Sequence, residues 1–205
     1  MHIAVIGSGN IGGTIGAKWA AAGHQVTFGA RDPGSPKARA AHGVTGGAAH
    51  VDSISAALST AELVLLALPG SAVTDFVAEH AAALQGKLVI DATNQFGQPV
   101  MNALATLHAA APQAVLFRAF NSLGWENFAE PVIDGVQVDL LYVGPDTPAR
   151  ATIASLISDV GLRPVYVGDL SQAALVDTMT ALWAALAIGQ KLGRRLAFKV
   201  LTPQQ

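Results

Sequence analysis

The stretch His2-Ile3-Ala4-Val5-Ile6-Gly7-Ser8-Gly9-Asn10-Ile11-Gly12 decides how this 205-residue chain is read. Ile3–Ile6 is a continuous apolar run, which predicts a strand buried on both faces, and it leads directly into G-x-G-x-x-G. Among 21 glycines that pattern alone is weak. Its setting makes it specific, because a helix-compatible run, Ile11–Ala22, follows at once. Each glycine then has its own task. Gly7 permits the tight turn, Gly9 lets a pyrophosphate approach the backbone, and Gly12 lets the helix lie close on the strand. The helix N-terminus offers free N–H groups and a partial positive charge to the phosphates.

Outward from this turn, short apolar runs alternate with alanine-rich helical stretches. Strands are expected at Ile3–Ile6, Gln25–Phe28, Leu63–Leu68, Lys87–Asp91, Val115–Arg118, Val138–Val143 and Pro164–Val167. Helices are expected at Ile11–Ala22, Ala72–Leu84, Val100–Ala111, Pro148–Val160 and Ser171–Arg194. Continuous rather than alternating strands, joined by helical crossovers, imply a mostly parallel sheet covered on both faces. The expected class is α/β, a doubly wound Rossmann NAD(P)-binding fold with a C-terminal helix. Residues 1–205 form one domain on this reading, with 171–199 as a C-terminal helical segment. Asp32–Ala49 reads as a mobile connection and Gly124–Gly135 as a loop.

Composition narrows the function. Twelve Lys+Arg against 14 Asp+Glu gives a net charge of −2, which argues against nucleic acid or a polybasic membrane anchor as partner. Absence of Cys removes disulfides, thiolate nucleophiles and Cys-based metal sites. The chain is 51% hydrophobic, yet no uninterrupted apolar run nears the roughly 18 residues of a spanning helix. A soluble, cytoplasmic protein without a membrane segment is expected.

After the second strand, where an NAD site normally carries an acid, the chain reads Phe28-Gly29-Ala30-Arg31-Asp32. Arg31 is placed to fork onto the 2′-phosphate of NADP, with Lys37 and Arg39 adding field. Asp32 in a shifted register would instead select NAD. Three further strand ends, Leu68-Pro69-Gly70, Ala92-Thr93-Asn94 and Ala119-Phe120-Asn121, should surround the nicotinamide half, since ligands lie beyond the carboxyl ends of such strands. Leu68 and Pro69 offer an apolar wall and Asn94 an amide. Phe120, Asn121 and Ser171 are expected to line the acceptor's side. The six histidines read as surface residues, and Lys191 and Lys199 as cations complementing a helix end.

These residues resemble a family. Gly7-Ser8-Gly9-Asn10-Ile11-Gly12, Gly29-Ala30-Arg31, Ala67-Leu68-Pro69 and the closing Gly193-Arg194-Arg195-Leu196-Ala197-Phe198-Lys199 are similar to the NADPH:deazaflavin (coenzyme F-420) oxidoreductases. The resemblance spans nearly the whole chain. It implies phosphate contacts at Ser8, Gly9, Asn10 and Ile11 and a 2′-phosphate contact at Arg31. Ala30 stands where the family often has a hydroxyl. Arg118-Ala119-Phe120-Asn121-Ser122 looks more like the cytoplasmic domains of membrane ferric reductases, which use a flavin. The implied reaction is hydride transfer between NADP(H) and a deazaflavin or flavin acceptor. Two other readings stay open: a non-catalytic NADP(H) sensor, and a dehydrogenase or imine reductase relative. The last normally needs a substrate domain of roughly 100 residues, and only about 35 follow Gly168. Leu175, Met179, Leu182 and Leu186 form one stripe of the last helix, beside a second of Val176, Trp183 and Ala187. Two apolar stripes suggest two buried surfaces, one of them a homodimer interface.

Overall fold

The computed structural model describes residues 1–203, apart from the side chains of Lys37 and Val44. Strands are β1 His2–Ile6, β2 Gln25–Ala30, β3 His50–Ser53, β4 Leu63–Leu66, β5 Leu88–Asp91, β6 Val115–Arg118, β7 Val132–Ile133, β8 Val136–Gln137, β9 Asp139–Val143 and β10 Arg163–Gly168. Helices are α1 Asn10–Ala21, α2 Pro36–Val44, α3 Ile54–Thr60, α4 Val73–Leu84, α5 Leu104–Ala110, α6 Trp125–Ala129, α7 Pro148–Asp159 and α8 Ala173–Ala184. Eight strands form one sheet in the order β10-β9-β6-β5-β4-β1-β2-β3. From β1 the chain winds one way through β2 and β3, then returns to β4 and winds the other way. The expected Rossmann-like α/β class is the observed one.

The strands are apolar throughout because both faces are covered. Val5, Ile15, Trp19, Phe28 and Phe117 pack on one side. Ile6, Leu58, Leu66, Phe76 and Leu107 pack on the other.

Four expectations need correction. The connection Asp32–Ala49 contains α2, entered through Ser35, whose hydroxyl accepts from Ala38 N–H at 3.2 Å, with Pro36 in the first turn. A serine cap followed by proline is a helix start, and the density of Gly and Pro nearby masks it. β3 and α3 then supply a sheet edge that is too polar to read as a strand. Gly124–Gly135 holds α6, and β7 and β8 form a hairpin whose turn, Asp134-Gly135, takes positive φ at both positions. That excursion turns the chain round, so β9 runs antiparallel to β6, with Arg118 opposite Val143. Finally, the C-terminal helix ends near Gly189 rather than Arg194.

Leu170–Gly189 forms a helical run of 20 residues, long and apolar enough by length and composition to cross a membrane. Reading uninterrupted apolar runs missed it because Asp177, Thr178 and Thr180 interrupt the sequence. Val176, Asp177, Thr180, Trp183 and Ala187 are buried, whereas Leu175, Leu182 and Ile188 are exposed.

Candidate functional site

The site is built from the carboxyl ends of four neighbouring strands, locked together where side chains are missing. Gly7 turns with φ +105°, and a Cβ there would lie 2.4 Å from the Ala67 carbonyl oxygen. The β1 turn therefore rests directly on the end of β4. At Gly12 a Cβ would lie 1.9 Å from the Gly7 oxygen, so only glycine lets α1 approach. Gly9 is different. Its φ of −75° is ordinary, and nothing lies within 4 Å of the position its Cβ would take. Fold packing does not explain a glycine there, but an open cradle for a ligand does.

Beside that cradle, α1 begins without a side-chain cap and with no acidic residue in its first turn. Its first N–H groups point out of the helix, a ready receptor for phosphate. Gly9 and Asn10 are exposed, and Ser8 and Ile11 are half-buried around them. The residues present fit a dinucleotide pyrophosphate.

Arg31 follows β2 immediately and is exposed, level with the second strand's end. Asp32 Oδ1 accepts from Gly34 N–H at 2.9 Å, closing a local turn. This local role accounts for Asp32 without a ribose. Arg39 Nη1 donates to the Gly34 carbonyl and holds the same turn. Lys37 lies in α2, and its side chain falls outside the described residues.

Toward β5 the row of tips continues. Leu68 is half-buried and Pro69 exposed. Gly70 allows close approach of the next loop, since a Cβ would lie 2.6 Å from Gln95 Cγ and 2.8 Å from the Asn94 oxygen. Asn94 is half-buried; its Nδ2 donates to the Asn121 carbonyl at 2.9 Å and its Oδ1 accepts from Arg118 Nη2 at 2.8 Å. Asn94 thus shapes the wall, with its amide engaged by protein.

The expected acceptor-side residues do not gather. Phe120 is fully buried, edge-on to Trp19 and Phe128 at 5.8 and 5.7 Å between ring centroids, so it belongs to the core. Its φ of +62° turns the chain after β6 and points the ring inward. Asn121 is buried, with Nδ2 donating to Thr180 Oγ1 at 2.9 Å. Ser171 stands apart: its hydroxyl donates to Asp169, and it lines an apolar cleft of about 680 Å³ with His108, Leu116 and Pro145.

Sequence reasoning missed the most connected side chains here. Arg118, at the end of β6, is fully buried and paired with Asp177 of α8 at 2.8 Å. A charged residue closing the apolar run Val-Leu-Phe, and a lone Asp in an apolar helix, were the available signals. His80 was expected at the surface, yet α4 buries it against Phe76, 5.1 Å between rings. Lys199, read as a helix-dipole cation, instead donates to Asp139 Oδ1 at 2.7 Å.

Comparison with known proteins agrees with this geometry. Residues 2–95, which run from β1 past the tip of β5, match the family described as NADP oxidoreductase coenzyme F420-dependent. A glycerol-3-phosphate dehydrogenase [NAD(P)+] of Paracoccus denitrificans is 28% identical over 218 residues, covering 98% of this chain. The chain spans 65% of the length of that curated relative. A crystal structure from Arthrobacter sp. FB24, described as a candidate F420-dependent NADP-reductase, superimposes with a TM-score of 0.85 at 24% identity. The superposition covers 98% of this chain and 100% of that one. A reductive aminase from Aspergillus terreus, solved in complex with NADPH and ethyl levulinate, matches with a TM-score of 0.63 at 25% identity, over 93% of this chain and 64% of that one. Residues 2–95 are thus similar to the coenzyme F420-dependent NADP oxidoreductases, and the chain as a whole has a Rossmann-like α/β fold.

Proposed function

We propose that this protein binds NADPH across the β1–β4 switch point and passes its hydride directly to a planar tricyclic acceptor, a deazaflavin of the coenzyme F-420 type. The open cradle at Gly9 carries the reading. Gly7 and Gly12 have a packing explanation in the fold, whereas the approach of a ligand is what accounts for Gly9. Arg31 supports the phosphorylated cofactor, because a guanidinium can fork onto a phosphate while rejecting nothing of the remaining dinucleotide.

When bound, the nicotinamide supplies the hydride, and the protein's work is orientation and exclusion of water. The α1 N-terminus with Ser8, Gly9, Asn10 and Ile11 would hold the pyrophosphate, and Leu68 and Pro69 would back the nicotinamide. The hydride would come from NADPH and the accompanying proton from solvent, so no side chain of this site is assigned a proton transfer. The proposed compartment is the cytoplasm, and the proposed assembly is a homodimer through the exposed face of α8, where Leu175 and Leu182 are exposed.

A flavin acceptor is the second reading, favoured by the stretch Arg118-Ala119-Phe120-Asn121-Ser122. NADPH oxidation with purified deazaflavin, FAD and FMN offered separately tests the order. Turnover with deazaflavin is expected. Turnover with FAD or FMN alone would reverse the assignment, and oxidation with none of the three would favour a non-catalytic NADP(H) sensor.

A further inference from the structure

Arg118 has five N–H donors, and each meets an acceptor. Nε and Nη2 donate to Asp177 Oδ1 at 3.0 and 2.8 Å, and Nη2 also reaches Asn94 Oδ1. Nη1 donates to the main-chain oxygens of Asp91 and Thr93, at 3.1 and 2.5 Å. On the far side, Asp177 Oδ2 accepts from Asn102 Nδ2 at 2.7 Å. One guanidinium–carboxylate pair therefore holds both ends of the 92–103 loop, the tip of β6 and α8.

Asp91 completes the clamp from beneath. Its Oδ1 accepts from Thr93 N–H and hydroxyl at 2.9 and 2.6 Å, and its Oδ2 accepts from Ala103 N–H at 2.7 Å. Burying three charges in this way is costly, and well-packed apolar residues of similar volume often hold a helix on a sheet as well or better. Packing alone leaves the cluster unexplained. Its acceptors are concentrated on the loop that follows β5, on the nicotinamide side of the switch point. None lies on the Gly7–Gly12 turn or at Arg31.

We propose that Arg118 and Asp177 are positioning residues for the nicotinamide half of the bound cofactor, acting through Asn94 and the loop it begins. The proposal rests on the nucleotide reading above and goes further, since it divides the site into two halves that can be perturbed separately. The adenine and 2′-phosphate half depends on α1 and Arg31. The nicotinamide half depends on the buried pair.

Calorimetric titration with two probes separates the halves: 2′,5′-ADP, which lacks the nicotinamide, and intact NADPH. The proteins compared are wild type, Arg118→Lys and Asp177→Asn. Lysine keeps the charge but replaces the rigid fork by a point donor, so it cannot make all five hydrogen bonds to the four acceptor atoms. The expected result is an unchanged 2′,5′-ADP affinity with NADPH weakened about tenfold, equivalent to ~1.4 kcal/mol. If Arg118→Lys does not fold, Asn94→Ala and Asn102→Ala, both half-buried, should give the same split. Equal weakening of both probes would reduce the pair to general support of the fold and overturn the proposal. So would an unchanged NADPH affinity. Wild-type protein that binds neither probe would overturn the nucleotide reading, and the proposal with it.

Discussion

Two glycines in one turn make opposite predictions at the residue scale. Gly9→Ala adds a methyl group to open space at an ordinary φ, so the melting temperature should stay within a degree or two of wild type. NADPH binding should nevertheless be lost, because the methyl occupies the pyrophosphate's approach. Gly12→Ala drives a methyl into the Gly7 carbonyl and should destabilise the fold by at least the ~1–3 kcal/mol typical of overpacking. Thermal melts paired with NADPH titrations check both. Arg31→Ala should weaken NADPH by about 1.5–3 kcal/mol, the range of a charged hydrogen bond, and leave NADH almost unchanged. Equal losses for the two cofactors would show that Arg31 does something other than grip the 2′-phosphate. The glycines and Arg31 were legible because spacing along the chain is the signal. Arg118 and Asp177 were not, because a pair 59 residues apart becomes a pair only when β6 and α8 are placed side by side. Phe120 misled for the same reason. A strand tip is readable, but which way its side chain turns depends on one left-handed φ.

Among the elements, the segment after α8 shows most clearly what tertiary contacts add. Rather than continue as a helix to Arg194, it lies as a strap over α6 and β9. Trp183 Nε1 donates to the Leu196 carbonyl at 2.8 Å, and Asn127 Nδ2 to the carbonyls of Arg194 and Leu196, both at 3.2 Å. Further on, Asp139 accepts from Lys199 Nζ and Val200 N–H at 2.7 Å each, and from Arg163. Burial alone would raise the Asp139 carboxyl, but hydrogen bonds from Arg163, Lys199 and the Val200 N–H hold it below the ordinary 3.8. A carboxyl depressed in the folded state contributes stability that is complete above its unfolded pKa and lost as pH falls through its folded one. Asp139→Asn should therefore cost about 1.5–3 kcal/mol at neutral pH, with the difference from wild type shrinking as pH falls below 3.8. Denaturant unfolding at pH 7 and at stepwise lower pH measures this; a constant difference would remove Asp139 from the strap's support. Helical propensity continues past Gly189 in the sequence, and nothing local announces that Asp139 and Asn127 will capture the chain. The β7–β8 hairpin, by contrast, was announced by Asp134-Gly135, a turn signal outweighed by the surrounding Gly and Pro.

For the whole molecule, the helical run Leu170–Gly189 and the residues just after it present two faces with different fates. Val176, Trp183 and Ala187 are buried in the subunit, whereas Leu175, Leu182, Ile188 and Leu192 remain 44–63% exposed. Large apolar side chains left exposed along one helical run are a reason to propose an interaction surface, and a two-fold pairing of the chain with itself is the proposed use. Sedimentation at micromolar concentration should give twice 20.9 kDa, and Leu182→Asp should give the monomer. A wild-type monomer would contradict the assembly. The account's central claim concerns the reaction itself: hydride passes directly between two rings held in one site. A deazaflavin is the informative acceptor, because it takes the hydride on carbon and the transferred hydrogen cannot exchange with water. With NADPH carrying two deuterium atoms at nicotinamide C4, mass spectrometry of the reduced deazaflavin should find one deuterium per molecule. Reduced product without deuterium would contradict direct transfer.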